Sequence, residues 1–289
     1  MPDGNKKRLD LLLVERGLVE TRSLAQRLIL AGRVKVDGRE TIQAGKLLPP
    51  DARLELTEIP RYVSRGGEKL EAALDRFSIS PAGWICADAG ASTGGFTDCL
   101  LQRGAARVYA IDVGKGILDW RLRNDPRVVV LEERNARYLD ALPELVDLVT
   151  ADLAFISLRL LFPVFVRWLR AGGRAVALIK PQFEAGRSQV GRGGVVKDPA
   201  VHRSVLEEVL RSALQSGFVV EGLMASPLKG PAGNIEFLAN LRYSGEAHLM
   251  SGGDNAVRHL IESVVPELIA SEWKTKVHGR HRNNSDNTE

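Results

Sequence analysis

Four ionisable residues of this 289-residue chain stand where apolar segments begin or end: Lys69, Asp152, Lys180 and Glu236. Asp152 directly follows the apolar run that starts at Val146, and Lys180 follows the run that starts at Arg174. A side chain in such a place leaves the core and meets the cleft that open sheets form at the carboxyl ends of their strands. Glu236 is embedded in Asn234-Ile235-Glu236-Phe237-Leu238, an odd place for a carboxylate in a merely structural strand. Lys69 falls on a helix expected from Glu68 to Arg76, with Leu70, Ala73, Leu74 and Phe77 at helical spacing. Any one of them could be a surface charge; together they imply a cleft with two cations and two anions.

A second group concerns ligand binding. The run Trp84 to Ala89 leads into Gly90-Ala91-Ser92-Thr93-Gly94-Gly95, and an amphipathic run to Leu101 leaves it, which reads as strand, glycine-rich turn and helix start. No Lys follows the glycines, so the loop is not the phosphate cradle of a nucleotide triphosphatase. Ser92 and Thr93 break the spacing of a dinucleotide fingerprint. Asp112 closes the next apolar run, Val108-Tyr109-Ala110-Ile111, roughly 20 residues on, where Rossmann-like folds set a carboxylate against ribose hydroxyls. The expectation is a nucleoside-containing cofactor, with Asp112 on its ribose and Gly90, Ser92 and Gly94 along the loop.

The elements that must position these residues alternate. Strands are expected over 128–131, 146–151 and 174–179, helices over 157–170 and 199–216, and a closing antiparallel pair over 219–225 and 235–241. That rhythm predicts an α/β fold, a mostly parallel sheet covered by helices on both faces. Residues 184–198 are rich in glycine and basic residues and read as a mobile loop or lid. Beyond Gly245 an amphipathic helix is expected over 255–270, followed by a basic stretch over 274–282 and a disordered polar tail.

Ahead of the sheet lies a smaller α+β unit. Residues 1–7 read as a frayed tail, 8–17 and 21–30 as helices, and Val34-Lys35-Val36 as a strand turning at Asp37-Gly38. Arg8, Arg22, Arg27, Arg33 and Lys35 gather on or beside its second helix and form a basic face suited to phosphates. The pattern Arg8-Leu9-Asp10, Arg22, Ala25, Gly32, Val34, Val36 and Asp37-Gly38 resembles the S-four RNA-binding domain of ribosomal proteins and pseudouridine synthases. It spans residues 8–58, with 59–63 as a linker, 64–244 as the second domain and 245–289 as an extension.

The remaining motifs are more specific. Ser64-Arg65-Gly66-Gly67-Glu68-Lys69-Leu70, Asp88-Ala89-Gly90-Ala91-Ser92-Thr93-Gly94-Gly95-Phe96-Thr97-Asp98, Asp112-Val113-Gly114, Ile179-Lys180-Pro181-Gln182-Phe183-Glu184 and Gly233-Asn234-Ile235-Glu236-Phe237 occur in that order. They resemble the TlyA family, RNA 2′-O-methyltransferases with an S-four domain ahead of an FtsJ-like domain. The resemblance implies a Rossmann-like class I methyltransferase sheet, S-adenosyl-L-methionine as donor, and the tetrad Lys69, Asp152, Lys180 and Glu236. It implies ribosomal RNA as partner and a ribose, typically of cytidine, as acceptor. Within it, Lys180 is the proton acceptor or the cation that steadies a developing alkoxide, Asp152 orients it, and Lys69 and Glu236 position the ribose. Asp88 orients the glycine loop or approaches the methionine amine, and Asn135 neighbours the adenine. Phe183 could stack on a splayed base, with Phe155 read rather as core; Arg65 and the loop residues Arg187, Arg192 and Lys197 are the remaining RNA contacts.

The bulk properties agree. A net charge of +4 and 40 Lys and Arg residues suit a polyanionic partner. Cys86 and Cys99 read as small core residues of a reducing compartment, and no zinc-ligand spacing occurs. The polar first residues show no secretory leader, and no run approaches the about 20 apolar residues of a membrane span. The expectation is therefore a cytoplasmic enzyme, with no metal. Three other classes compete: a membrane-active haemolysin-like protein, for which only the stretch from Asn255 is a candidate, a noncatalytic RNA-binding factor, and a nicotinamide dehydrogenase, told apart by whether S-adenosylmethionine or NAD raises the melting temperature.

Overall fold

The chain divides into two compact units, Met1–Arg61 and Tyr62–Glu289. The computed structural model describes residues 6–30, 32–56, 61–245 and 255–265. The expectations for residues 1–5, 266–270, the basic stretch 274–282, the polar tail and the side chain of Arg27 lie outside the described residues.

In the first unit β1 (Lys7–Arg8) leads into α1 (Leu9–Glu15), then α2 (Arg22–Leu30), β2 (Val34–Val36), β3 (Arg39–Glu40), β4 (Leu47–Leu48) and β5 (Leu54–Leu56). Leu9, Leu12 and Leu13 from α1 meet Ala25, Leu28 and Ile29 from α2 over Val34 and Val36, and this is its core. Asp37 and Gly38 both take positive φ, which twists the two-residue turn to suit the β2–β3 hairpin. Lys7 pairs with Leu48 and Arg8 with Leu47, so the last residue of the expected tail and the first of the expected helix form a short strand, and the helix starts at Leu9.

The second unit runs α3 (Gly66–Arg76), β6 (Ile85–Ala89), α4 (Gly95–Gln102), β7 (Arg107–Ile111), α5 (Trp120–Arg123), β8 (Val128–Leu131), β9 (Val146–Ala151), α6 (Phe162–Trp168), β10 (Leu169–Ile179), α7 (Pro181–Glu184), α8 (Pro199–Gln215), β11 (Phe218–Ala225) and β12 (Phe237–Tyr243). A seven-stranded sheet has the order β11-β12-β10-β9-β6-β7-β8. Pairs from β10 to β8 are parallel, and β12 is antiparallel to both its neighbours. Side chains alternate across each strand, so both faces need cover. Cys86, Val108, Leu148 and Leu178 pack with Leu70 and Leu74 of α3 and Leu100 of α4. Ala87, Ile111, Val149 and Ile179 pack with Phe165 of α6 and Val209 of α8 on the other face. The expected doubly covered α/β sheet is the observed one.

Several boundaries differ from expectation. The helix expected over 157–170 is a 3-10 turn, Leu158–Leu160, followed by α6, which ends at Trp168. Leu169 already pairs with Val146, and the register shifts before Arg174 as the chain bulges at Gly172 and Gly173. Tyr62 of the expected linker is buried with Leu70 and Phe96, and the Asp98 carboxylate accepts from the Val63 N–H, so both belong to the second unit. The glycine-rich segment 184–198 is not a featureless lid. It holds a 3-10 turn at Arg187–Gln189 and a bridge between Gly191 and Val195, and Val196 is buried. Residues 255–265 are helical, and Val257, Ile261, Val264 and Val265 are spent on the core of the second unit. That apolar side is not free for a membrane, against the haemolysin reading of this stretch.

Candidate active site

The strand order reverses at β6: the chain fills β7 and β8 on one side, then returns with β9 on the other. Ligands of open α/β sheets bind at such a switch point, outside the carboxyl ends of the strands. Here the turn after β6 and Asp152 after β9 meet. Gly90 has φ +84°, and a Cβ on it would come within 2.6 Å of the Asp152 carbonyl oxygen, so only glycine lets the two ends approach. Gly94, at φ +99°, has no room either, because a Cβ would strike Leu122 and Leu118.

The glycine loop forms one wall of a cleft of about 930 Å³. Gly90, Ser92, Asp112 and Asn135 line it, together with Arg65. The Asp112 carboxylate accepts from the Ser92 N–H and the Gly114 N–H, each at 2.8 Å. It ties two loops together and keeps lone pairs for hydroxyls. Asn135 caps the next turn by accepting from the Arg137 N–H at 3.0 Å while still facing the cleft. Bare backbone, a fixed carboxylate and an amide in that order fit a methionine chain, a ribose and an adenine.

Asp88 and Gly94 stand elsewhere: neither lines the cleft wall. Asp88 is sealed beneath the loop, where the hydroxyls of Thr97 and Thr150 donate to its two oxygens at 2.7 and 3.0 Å. Burial dominates, and its carboxyl is pushed up to about 7. Of its two expected roles, the geometry favours orienting the loop.

All four members of the tetrad line the same cleft. Lys69 Nζ donates to Glu236 Oε2 at 2.6 Å, with Glu236 1% and Lys69 8% exposed. Lys180 Nζ lies 2.5 Å from Asp152 Oδ1. The sheet explains the meeting. Phe237 opens the antiparallel β12 opposite Ile179, which ends β10, so Glu236 and Lys180 emerge at one end of the sheet.

The RNA candidates are dispersed. In the first unit, Arg8 and Arg22 are about half exposed and both grip Asp10, which is fully buried and also accepts from Gln26 Nε2. Lys35 sits on β2, and Arg33 just before it. In the second unit Arg187, Arg192 and Lys197 are exposed, apart from the cleft wall. Phe183 packs against Phe155, ring centroids 5.0 Å apart. The reading of Phe155 as a core aromatic is wrong: it is 90% exposed, lines the cleft, and has φ 63°.

The residues missed from the sequence are those that hold others. Thr97 and Thr150 hold Asp88. Asn234, 2% exposed, accepts from the Val196 N–H and donates to the Gly194 carbonyl, tying the glycine-rich segment to the loop before Glu236. Glu184 is buried and bonds across to Ser157 and Leu158. Its sequence signal is its place at the end of the Ile179–Glu184 motif, four residues after Lys180 and one helical turn away.

This cleft lies at the switch point of a doubly covered sheet, where open α/β folds bind their ligands. Residues 62–243 match the FtsJ-like methyltransferase family, and residues 7–52 match the S4 domain. A Bacillus subtilis relative, YqxC, named for rRNA methyl transfer, is 49% identical over 84% of this chain and 88% of its own. The 16S/23S rRNA (cytidine-2′-O)-methyltransferase TlyA of Mycobacterium tuberculosis is 47% identical over 89% of this chain and 98% of its own. A solved structure from Streptococcus thermophilus, under the name hemolysin, superposes with a TM-score of 0.69 at 42% identity, covering 92% of this chain and 98% of that one. The chain belongs to the TlyA family of FtsJ-like rRNA methyltransferases. Among the described residues no helix is long and apolar enough to cross a membrane, and no group of three or more His, Cys, Asp or Glu is placed to hold a metal.

Proposed function

We propose that this protein transfers the methyl group of S-adenosylmethionine to the 2′-hydroxyl of a cytidine ribose in ribosomal RNA, and that it does so in the cytoplasm. The observation that carries the reading is the convergence of Lys69, Asp152, Lys180 and Glu236 beside the glycine loop in one cleft. When bound, S-adenosylmethionine supplies a methyl already activated on its sulfonium. The protein's share is to align a ribose oxygen with that methyl and manage the departing proton.

Asp112 holds the cofactor ribose, Gly90 and Ser92 lie along its methionine chain, and Asn135 borders the adenine. Asp88 and Gly94 shape the loop from behind. Lys180 faces the acceptor oxygen and takes up its proton or steadies the alkoxide, with Asp152 fixing its direction. The Lys69–Glu236 pair positions the acceptor ribose. Phe183, with Phe155 beside it, stacks on the exposed base. Arg8, Arg22, Arg27, Arg33, Lys35, Arg65, Arg187, Arg192 and Lys197 hold phosphates. Residues 8–58 serve as the RNA-binding domain, 59–61 as linker, 62–244 as the catalytic domain and 245–289 as an extension.

Lys180→Ala tests the reading. Mapping ribose methylation on ribosomal RNA from cells with the wild-type or the variant protein is expected to show loss of one modification. In solution the rate is expected to fall about 10²- to 10⁴-fold with RNA binding retained. Normal methyl transfer by a variant that still binds RNA would refute the assignment.

A further inference from the structure

We propose that Glu184 is a positioning residue that latches the two segments carrying the catalytic pair and the aromatic pair, so that it sets turnover without touching cofactor or substrate. The inference rests on the tetrad reading above and deepens it.

Lys180 and Phe183 lie on α7 and its first cap, whereas Asp152 and Phe155 lie on the loop after β9. Glu184 closes α7, and its carboxylate reaches the other segment with both oxygens. Oε2 accepts from the Ser157 hydroxyl at 2.6 Å, and Oε1 accepts from the Leu158 N–H at 2.8 Å. The Ser157 oxygen in turn accepts from the Arg159 N–H at 3.2 Å, so the latch also caps the 3-10 turn that follows. Arg159 Nε stands 3.7 Å from Glu184 Oε2, and Arg159 Nη1 donates to Glu208 Oε2 of α8 at 2.9 Å, which ties the assembly to a long helix.

Leu153 and Ile156 pack this loop against the core and the Asp152 N–H donates to the Ala89 carbonyl at 3.1 Å, but Phe155 between them is turned out. Phe155 is 90% exposed and sits at φ 63°, a conformation that costs of the order of 1 kcal/mol or more and persists only when the surroundings impose it. Its ring packs against Phe183, on the latched segment. The Phe183 N–H donates to the Lys180 carbonyl at 2.9 Å, so the turn that Glu184 ends also fixes the Lys180 backbone. Burial pushes the Glu184 carboxyl above its usual range, against the pull of its donors, a cost that a merely structural contact could avoid with an apolar residue.

The test uses the full-length enzyme, radiolabelled S-adenosylmethionine and ribosomal subunits from cells lacking the protein. Glu184→Gln keeps size and shape but turns an N–H toward one of the two donors. The expected result is a fall in kcat of about 10- to 100-fold, with an unchanged KM for S-adenosylmethionine and an unchanged rise in Tm on adding it. Ser157→Ala removes one donor and is expected to lower kcat in the same way. The double variant should fall no further than Glu184→Gln, because both break one contact. Unchanged kcat in Glu184→Gln overturns the proposal, and so does a fall matched by equal loss of cofactor affinity, or effects of the two substitutions that simply multiply. Should Glu184→Gln not fold, Ser157→Ala decides alone: a lowered kcat supports the latch and an unaltered one overturns it. Lys180→Ala run alongside separates the two levels. If it stays active, the tetrad reading fails and the latch with it. If it is inactive while Glu184→Gln is normal, only the latch fails.

Discussion

Asp10 in the first unit and Asp88 in the second are both sealed from solvent, and their surroundings drive them in opposite directions. Asp10 receives Arg8, Arg22 and Gln26, and the Arg8 guanidinium above all holds its carboxyl far below the usual range. Asp88 receives neutral donors, the hydroxyls of Thr97 and Thr150 and the Thr97 N–H, so burial wins and pushes it up to about 7. Burial raises both carboxyls; at Asp10 the cations outweigh it, and at Asp88 the neutral donors do not. The first unit brings two arginines that stay about half exposed while they pair with Asp10. The second unit keeps the cations for the cleft, where Lys69 meets Glu236 and Lys180 meets Asp152.

That contrast can be strained most by removing a cation from a buried acid. Lys69→Met leaves Glu236 at 1% exposure without its partner, and urea unfolding of the full chain should show a loss of about 3–5 kcal/mol. A loss below about 1 kcal/mol would mean that hydrogen bonding, not the cation, carries Glu236.

Asp88 offers the next largest effect, through pH. A carboxyl raised on folding contributes stability that is full below its unfolded value near 4 and is lost as pH rises through about 7. Between 3.8 and about 7 the difference amounts to at most about 4 kcal/mol. Asp88→Asn should therefore flatten the stability profile between pH 4 and 8 and exceed wild type at the alkaline end. A wild-type profile that already rises over that window, with no change in the variant, would break the comparison.

Asp10 should give the smallest effect and the opposite sign. Its carboxyl is lowered on folding, so its stability is present above the ordinary carboxylate range and lost only as pH falls into strong acid. Because Arg8 and Arg22 are about half exposed, solvent screens the pairs, and Asp10→Asn should cost about 1–2 kcal/mol at neutral pH. The same variant should bind RNA more weakly in a filter assay at moderate salt, since its arginines are no longer held in place. Unchanged affinity would show that Asp10 serves the fold and not the surface.

Much of the architecture could be read in advance because its causes are local. Gly90, Gly94 and Asp112 declare a turn and a following acid within one stretch, and apolar runs followed by Asp152 and Lys180 declare strand ends. The misreadings share a cause too. Residues 157–170 carry a helical pattern, yet Leu169 is drawn into the ladder with Val146, and pairing with a distant strand overrides the local preference. Phe155 reads as core by its type, but on the loop after β9, at φ 63°, it faces outward against Phe183.

By itself the amino-acid order determined which side chains were available and which segments would be strands, helices and tight turns, since these follow from periodicity and backbone sterics over a few residues. Only the tertiary structure decided which charges meet. Glu236 stands 56 positions after Lys180 in the chain, and it reaches the same sheet end because β12 runs against β10. Asp10 and Asp88 are the same residue type, and their titration is set by neighbours brought from elsewhere in each unit, because electrostatic energy depends on distance in space and on the water excluded around it.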